Sequence, residues 1–316
     1  MSISHESPLS QAESTELEND ELSNRPKFMI DSKRIGNRIR LNNILKHVFS
    51  FSTVFSILVL GVLLYQVGLD SVGWLDLQFL TSNLSIFPHK AGIYGAIIGT
   101  VLMMLIVIPV TTILGVSTAI YLEEYAKKGR LHYLINVNIS NLASVPSVIF
   151  GLLGLTVFGR LMNLGSSILA GGLTMSLLVL PIVVVAAQEA IRAVPDFLRE
   201  ASYAMGANKW TTVRKVVLPV AIPGILTGTI LAISRAIGET APLVVLGIPT
   251  LIMKIPSSVL DDFTVLPIQI YYWTLDSVLK PEYANLAAAT IIVLLIILFL
   301  MNSVAIIIRN KFQQRF

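Results

Sequence analysis

The sequence predicts an all-α integral membrane protein with about six transmembrane helices. Of the 316 residues, 54% are hydrophobic and only 13% are charged, whereas about a quarter of the residues of a soluble domain are charged. Several apolar runs reach the roughly 20 residues that cross a hydrocarbon core about 30 Å thick. Lysine and arginine are also distributed very unevenly among the segments between these runs, which is typical of the loops of a multi-pass membrane protein.

Six apolar segments are long enough to be spans, and we expect the fifth to be interrupted. The predicted spans cover approximately residues 48–68, 93–121, 138–158, 168–188, 217–248 and 286–308. Proline removes a helical hydrogen bond, and within a bundle neighbouring helices can satisfy the freed backbone groups. We therefore expect kinked or broken helices at Pro146, Pro181, Pro219, Pro223 and Pro242. Small residues at four-residue spacing predict close helix packing, at Gly95 and Gly99 and at Gly224 and Gly228.

The chain divides into three regions. Residues 1–35 form a predicted cytoplasmic tail that is first acidic and then basic, and its acidic part has too little apolar surface to fold. Residues 36–90 hold the first span and an outer loop. Residues 91–312 hold the other five spans, with a long polar loop at 189–219.

The distribution of basic residues predicts the orientation in the membrane. Most of the 23 lysines and arginines lie in the tail, the 122–134 loop, the 189–216 loop and the C-terminus. The opposite side carries only Lys90, Arg160, Lys254 and Lys280. Because loops rich in lysine and arginine stay in the cytoplasm, both termini are predicted to be cytoplasmic, which agrees with an even number of spans.

Several classes of function are disfavoured. There is no cysteine and the four histidines are scattered, so we expect no metal site. The sequence has no group of nucleophile, base and orienting residue at catalytic spacing, and no G-x-x-x-x-G-K-[ST] phosphate loop. We therefore expect no catalytic residue, no cofactor bound by this chain and no nucleic-acid partner. We expect the spans to contact membrane lipid.

The loop at 189–219 carries the most specific motif. Its centre is a predicted short helix that opens at Pro195-Asp196, with Asp196 as the expected N-cap. The motif reads Glu200-Ala201-Ser202, three residues, Gly206, nine residues, then Val216-Val217-Leu218-Pro219. It resembles the EAA loop of ABC importer permeases, which reads E-A-A, three residues, G, nine residues, I-x-L-P. Ser202 and Val216 are mild departures from that pattern.

The resemblance implies a coupling helix that docks into a groove on a separate ATP-binding subunit, as amphipathic helices do in other complexes. Arg199 and Glu200 would be polar anchors, and Gly206 would let the chain turn between two helical pieces. The residues implied in coupling are Arg199, Glu200, Ala201, Ser202, Gly206, Leu218 and Pro219. The alternative is a surface helix without a partner.

The fifth predicted span contains two charged residues, Arg235 and Glu239. Charges inside a span are expensive and usually face a cavity or a partner. Residues four apart share one face of a helix, so the two side chains could simply neutralise each other. Alternatively, Arg235 donates to an oxyanion on a translocation path, since guanidinium matches phosphate geometry, and Glu239 orients it. The residues alone leave both readings open.

The run Arg235-Ala-Ile-Gly-Glu239-Thr240-Ala-Pro242 resembles that of phosphate-specific ABC importer permeases, and its Glu-Thr-Ala-Pro-Leu end resembles the A-type subunit. Gly92–Gly99 and Ile120–Tyr125 are similar to the first core helix of that family, and the resemblance covers about residues 90–312. It implies that Arg235, Glu239 and Thr240 line the substrate pathway. Permeases for sulfate or molybdate share the coupling loop and remain the alternative, and an ion-coupled secondary anion transporter is a more distant one.

The resemblance also implies an assembly. The fold would be a type I ABC importer permease core of five spans with one extra N-terminal span. A homologous permease would complete the pathway, two ATP-binding subunits would hold the ATP and magnesium, and an extracytoplasmic phosphate-binding protein would deliver substrate. The location would be the bacterial cytoplasmic (inner) membrane.

Overall fold

A computed structural model describes residues 32–249, 251–252 and 255–312. The acidic tail predicted for the N-terminus lies outside the described residues. The chain divides into two compact units, Met1–Leu63 and Leu64–Phe316. In the described residues the regular structure is helical, with one isolated β-bridge between Ser167 and Asp262.

The helices of the described residues are numbered in chain order. They are α1 (Ser32–Ser71), α2 (Leu77–Thr81), α3 (Tyr94–Ile120), α4 (Arg130–Leu142), α5 (Ser147–Gly154), α6 (Ile168–Arg192), α7 (Asp196–Ala204), α8 (Lys209–Thr212), α9 (Leu218–Gly238), α10 (Ala241–Leu246), α11 (Leu266–Asp276) and α12 (Glu282–Phe312). Three π-helical segments extend them: Tyr121–Tyr125 after α3, Leu155–Leu161 after α5, and Val213–Val217 between α8 and α9. A short 3₁₀ turn covers Pro88–Lys90.

Five of the six predicted spans correspond to long helices, and the fifth is interrupted, as predicted, between Gly238 and Ala241. Among the described residues, five helices are apolar and long enough to cross a membrane: Leu41–Ser71, Tyr94–Tyr125, Ile168–Arg192, Lys209–Gly238 and Glu282–Lys311. The third predicted span, at 138–158 with an expected break at Pro146, is a bent pair of helices, which counts as the sixth span if its two halves cross the membrane together. That segment belongs to Arg130–Leu142 and Ser147–Leu161, which meet at an angle of 99°. The break lies at Pro146, whose extended ψ of 136° ends helical geometry, and proline also disfavours a helical residue before it.

The predicted proline breaks are confirmed in part. The chain breaks at Pro146, and Pro242 begins the helix that follows a second break. In contrast, Pro181 and Pro223 lie inside continuous helices. The helix also runs unbroken from Lys209 through Pro219. A proline ring normally clashes with the carbonyl four residues earlier. Just before Pro219 the turn is π-helical, with hydrogen bonds between residues five apart, so the carbonyl that would clash is displaced from its α-helical position.

The small residues at 224 and 228 mark a close helix contact, as predicted. A Cβ placed on Gly224 would lie 2.8 Å from the Cβ of Ala190, and one on Gly228 would clash with Ala186. Helix α9 therefore packs directly against α6. The prediction for Gly95 and Gly99 is not matched by a helix contact: a Cβ on Gly95 meets nothing within 4 Å, and one on Gly99 would meet the carbonyl of Thr264.

The segment before α11 packs against the N-terminal ends of two spanning helices. The Leu266 amide donates to Thr100 Oγ1 of α3 at 3.0 Å. The first amides of α6, at Ile168 and Leu169, donate to the carbonyls of Asp261 and Val259. These bonds satisfy helix-end donors that would otherwise lack a partner. The segment that leads into α11 therefore holds the N-terminal ends of α3 and α6 together.

Candidate functional site: the 189–219 loop and the charged pair of the fifth span

The motif in the 189–219 loop folds as a short helix followed by a tight turn. Helix α7 begins after Pro195, which occupies the N-cap with a ψ of 138°. Asp196, predicted as the N-cap, is instead the first helical residue, because Pro195 already supplies the extended conformation that a cap requires. The Asp196 carboxylate accepts from the Arg199 guanidinium at 3.1 Å.

Gly206 makes the turn that the sequence predicts at the end of α7. Its φ is +79°, a conformation that residues with a Cβ rarely adopt. The Gly206 amide donates to the Tyr203 carbonyl at 2.9 Å, and the Ala207 amide donates to the Ser202 carbonyl at 3.2 Å. This pair of bonds is the Schellman arrangement that closes many helix ends, and it directs the chain into α8.

Two residues predicted to face a partner face the protein instead. The Arg199 guanidinium donates to Glu124 through Nε at 3.1 Å and Nη2 at 3.0 Å, and to the carbonyls of Ile191 and Val194 at 2.9 and 2.7 Å. The Ser202 hydroxyl shares a 2.9 Å hydrogen bond with the hydroxyl of Thr212, which is fully buried. Both side chains therefore fix α7 on the bundle, and the expectation that Arg199 is an outward anchor is wrong.

The outward face of α7 is mostly apolar. Glu200 and Ala201 are exposed, as expected. Beside them stand Phe197, Met205 and Trp210, and Met205 is 88% exposed. Exposed apolar side chains grouped in this way mark an interaction surface. The sequence analysis missed these three residues, although large apolar residues in an otherwise polar loop were a visible signal.

Leu218 and Pro219 are partly packed into the helix bundle. Leu218 is half-buried and packs against an apolar cluster that joins α3, α6 and α9, including Ala119, Ala187 and Val217. Pro219 is half-buried in the first turn of α9. Residues of α7 and the start of α8 thus stay accessible, as do Arg214 and Lys215.

The charged pair of the fifth span lies where that span breaks. Helix α9 ends at Gly238, and Glu239 is extended with a ψ of 123°. Arg235 Nε donates to Glu239 Oε1 at 3.2 Å. The Arg235 side chain remains 56% exposed, whereas that of Glu239 is 20% exposed. The ion pair expected from neutralisation is therefore present, yet more than half of the Arg235 side chain stays accessible to another group.

Helix α10 is held in place by the broken third span. Thr240 starts α10, and its carbonyl accepts from the amides of Leu243 and Val244 at 3.1 and 3.0 Å. A Cβ on Gly151 of α5 would lie 2.8 Å from both Cα and the carbonyl oxygen of Pro242. Only glycine permits this approach, so α5 directly supports the chain that follows Glu239.

Residues 111–316 match the model of a protein family described as the binding-protein-dependent transport system inner membrane component. The chain belongs to this family. The matched residues include α7, the Gly206 turn, Arg235 and Glu239, whereas α1 and α2 lie before them. The family places the chain in the inner membrane as a transport component, which agrees with its several helices that are long enough to span a membrane.

Curated relatives of this family member come from several bacteria. The probable ABC transporter permease protein YqgI of Bacillus subtilis is 34% identical over 61% of this chain and 65% of its own length. The phosphate transport system permease protein PstA 1 of Mycobacterium tuberculosis is 36% identical over 66% of this chain and 70% of its own. The protein named PstA of Yersinia pestis is 31% identical over 88% of this chain and 92% of its own.

Solved structures show the fold. A chain of the MetNI methionine ABC transporter, in an inward-facing conformation, superposes with a TM-score of 0.56 at 18% identity, over 70% of this chain and 96% of that one. A chain of a bacterial ABC transporter involved in alginate import gives a TM-score of 0.52 at 13% identity, over 89% of this chain and all of that one. The family member described here therefore has the type I ABC importer permease fold that the sequence predicted.

Proposed function

We propose that this chain is one permease subunit of an ATP-driven importer of inorganic phosphate. It forms half of the translocation pathway, and a homologous permease forms the other half. Support comes from relatives named as phosphate transport permeases, which are 31–36% identical and match up to 92% of their own length. The observation that carries the proposal is the half-exposed Arg235 at the break of an apolar span.

Arg235 is suited to bind phosphate during passage. A guanidinium presents several donors in a plane and pairs with oxyanions through two parallel bonds. Here Arg235 Nε donates to Glu239. This bond orients the plane of the guanidinium, and the donors that remain exposed are available to substrate. Glu239 can also accept from a protonated phosphate oxygen. Thr240 is half-buried at the same break and completes the proposed pathway residues.

In this proposal the 196–215 loop couples ATP hydrolysis to movement of the permease. In this proposal two ATP-binding subunits carry ATP and magnesium, and each permease receives one of them at its coupling helix. The exposed face of α7, with Phe197, Glu200 and Met205, is the docking surface. An apolar helix face with a polar rim is the form that helix-in-groove interfaces take.

Both termini and the coupling loop lie on the cytoplasmic side in this proposal. The contact between Glu124 and Arg199 supports it, because it joins the 122–134 and 189–216 loops at one end of the bundle. These two loops carry many of the basic residues, as cytoplasmic loops do. An extracytoplasmic phosphate-binding protein would then meet the opposite end.

Transport proceeds by alternating access. Closure of the two ATP-binding subunits on ATP turns the cavity between the permeases outward, and hydrolysis returns it inward. Reconstitution of the permease with its co-purifying partners tests this directly. We expect labelled phosphate to enter vesicles only when ATP and the binding protein are both supplied. Uptake that is driven by an ion gradient without ATP would show a secondary transporter instead.

A further inference from the structure

Two adjacent glutamates at the π-helical end of α3 bind arginines on two different elements. Glu123 receives Arg192 Nε at 2.9 Å on one oxygen and Nη2 at 2.6 Å on the other. Glu124 receives Nε and Nη2 of Arg199 at 3.1 and 3.0 Å. The two carboxylate side chains are only 11% and 7% exposed. We call these four residues the charged bracket.

The charged bracket joins the coupling helix to two spanning helices. Neighbouring residues on a helix project in different directions, so Glu123 reaches the end of α6 while Glu124 reaches α7. Arg199 also binds the carbonyls of Ile191 and Val194, which ties α7 to the end of α6 as well. Displacement of α7 without α3 would leave Glu124 buried without its cation, an arrangement that proteins strongly disfavour.

The contacts continue from the bracket toward the charged pair of the fifth span. Gln188 of α6 donates to Glu123 at 2.9 Å and to Asn136 of α4 at 2.8 Å. Helix α4 is the first half of the broken span, and its second half, α5, supports Pro242 through Gly151. Contacts therefore lead from α7 to Asn136 of α4, and the chain continues from α4 through the 99° bend to α5, which packs against Pro242. Contiguity alone does not establish coupling, which requires a functional measurement.

We propose that Glu123 and Glu124 are positioning residues that transmit the movement of α7 to α3, α4 and α6 during transport. The proposal rests on the proposed function, because it requires an ATP-binding subunit that moves α7. Neither glutamate touches the exposed face of α7 or the Arg235 site. Loss of either carboxylate charge should therefore leave docking and hydrolysis in place and reduce the transport obtained from each ATP.

The chain offers a matched control. Arg192 also binds Glu189, at 3.0 Å, but that carboxylate is 66% exposed. Exposed ion pairs contribute little, so Glu189→Gln removes a carboxylate from the same arginine without opening the charged bracket. Glu123→Gln and Glu124→Gln keep the shape of the side chain and one acceptor oxygen. Because Glu123 binds Arg192 and Glu124 binds Arg199, each substitution is an independent test.

The experiment uses the full complex in vesicles and measures three quantities: the amount of ATP-binding subunit retained, ATP hydrolysis, and phosphate uptake. In Glu123→Gln and Glu124→Gln we expect the subunit to be retained and the phosphate imported per ATP to fall by roughly 5- to 150-fold, the usual range of coupling between sites. Glu189→Gln should match the unaltered complex.

Three outcomes would overturn this inference. An unchanged ratio of phosphate to ATP in both variants would show that the bracket transmits nothing. Loss of the ATP-binding subunit would show that the bracket only holds the docking surface. An equal fall in the phosphate imported per ATP in Glu189→Gln would show that the loss of any carboxylate near Arg192 has this effect, and that the bracket has no special role. Failure of the unaltered complex to import phosphate with ATP is a separate result, and it would reject the proposed function on which the inference rests.

Discussion

Replacement of Gly206 perturbs the coupling loop by backbone conformation alone. The residue has a φ of +79°, and a Cβ placed on it would meet no heavy atom within 4 Å. Steric clash with other residues therefore makes no contribution. For residues with a Cβ, the left-handed conformation costs roughly 1–2 kcal/mol. Asparagine adopts it several-fold more readily than most residues, whereas a β-branched residue is an outlier there.

The cost converts into a weaker interaction with the ATP-binding subunit. If docking requires the turn at Gly206, strain lowers the fraction of molecules in the competent conformation, and the apparent Kd rises by the same factor. A cost of about 1–2 kcal/mol corresponds to a roughly 5- to 30-fold higher Kd, since each 1.4 kcal/mol is tenfold. We expect Gly206→Asn to be mildest, Gly206→Ala intermediate, and Gly206→Val to abolish capture.

The assay is retention of the ATP-binding subunit on the tagged permease during stepwise dilution. The amount of permease in the membrane fraction serves as the control for insertion, and we expect it to be unchanged. Normal retention by Gly206→Val, at normal insertion, would refute the docking role of this loop. Equal loss in the Asn and Val variants would also contradict the reasoning, because it would not follow the ease of the left-handed conformation.

Other substitutions test the site and its support. Arg235→Ala should reduce initial phosphate uptake at least about tenfold, since a hydrogen bond to a charged group contributes roughly 1.5–3 kcal/mol, and the complex should remain intact by gel filtration. Gly151→Val should lower the melting temperature in detergent, because overpacking against Pro242 costs about 1–3 kcal/mol. Phe197→Ala and Met205→Ala should each weaken retention of the ATP-binding subunit, by more than about 1 kcal/mol if the side chain is an interface hot spot.

Each of these predictions has a control in the same chain. Arg235→Lys keeps the charge but not the planar fork, so it should retain part of the uptake. Gly95→Ala adds a Cβ that meets nothing within 4 Å and should leave the melting temperature unchanged. Leu279 is apolar and exposed far along the chain from α7, and Leu279→Ala should not affect retention. Dissociation of the complex in Arg235→Ala would instead assign that residue a structural role.

The long apolar helices could be predicted from the sequence because length and hydropathy alone determine them. The break of the third span at Pro146 was predicted as well, but the angle of 99° between its two halves was not, because a sequence does not show how those halves pack. The difference between Pro146, which breaks a helix, and Pro181, which does not, likewise depends on neighbours that a sequence does not show.

The candidate site could be located from the sequence but not oriented. The spacing of the loop motif placed the helix and its Gly206 turn within one or two residues. It could not show that Arg199 points inward, because the carboxylate that binds it, Glu124, lies 75 residues earlier. The Arg235 and Glu239 contact was predictable from their spacing of four. Their unequal exposure depends on the break at Gly238 and on the helices packed around it.

The central claim is that this permease passes phosphate by way of Arg235, driven by ATP at its coupling loop. The most direct measurement is the initial rate of labelled phosphate uptake by the reconstituted complex, with ATP and binding protein present and with excess unlabelled phosphate, sulfate or molybdate as competitor. The account predicts that only phosphate competes and that Arg235→Ala, at equal complex content, lowers the initial rate at least about tenfold. Uptake of sulfate or molybdate without phosphate, or full phosphate uptake by Arg235→Ala, would contradict it.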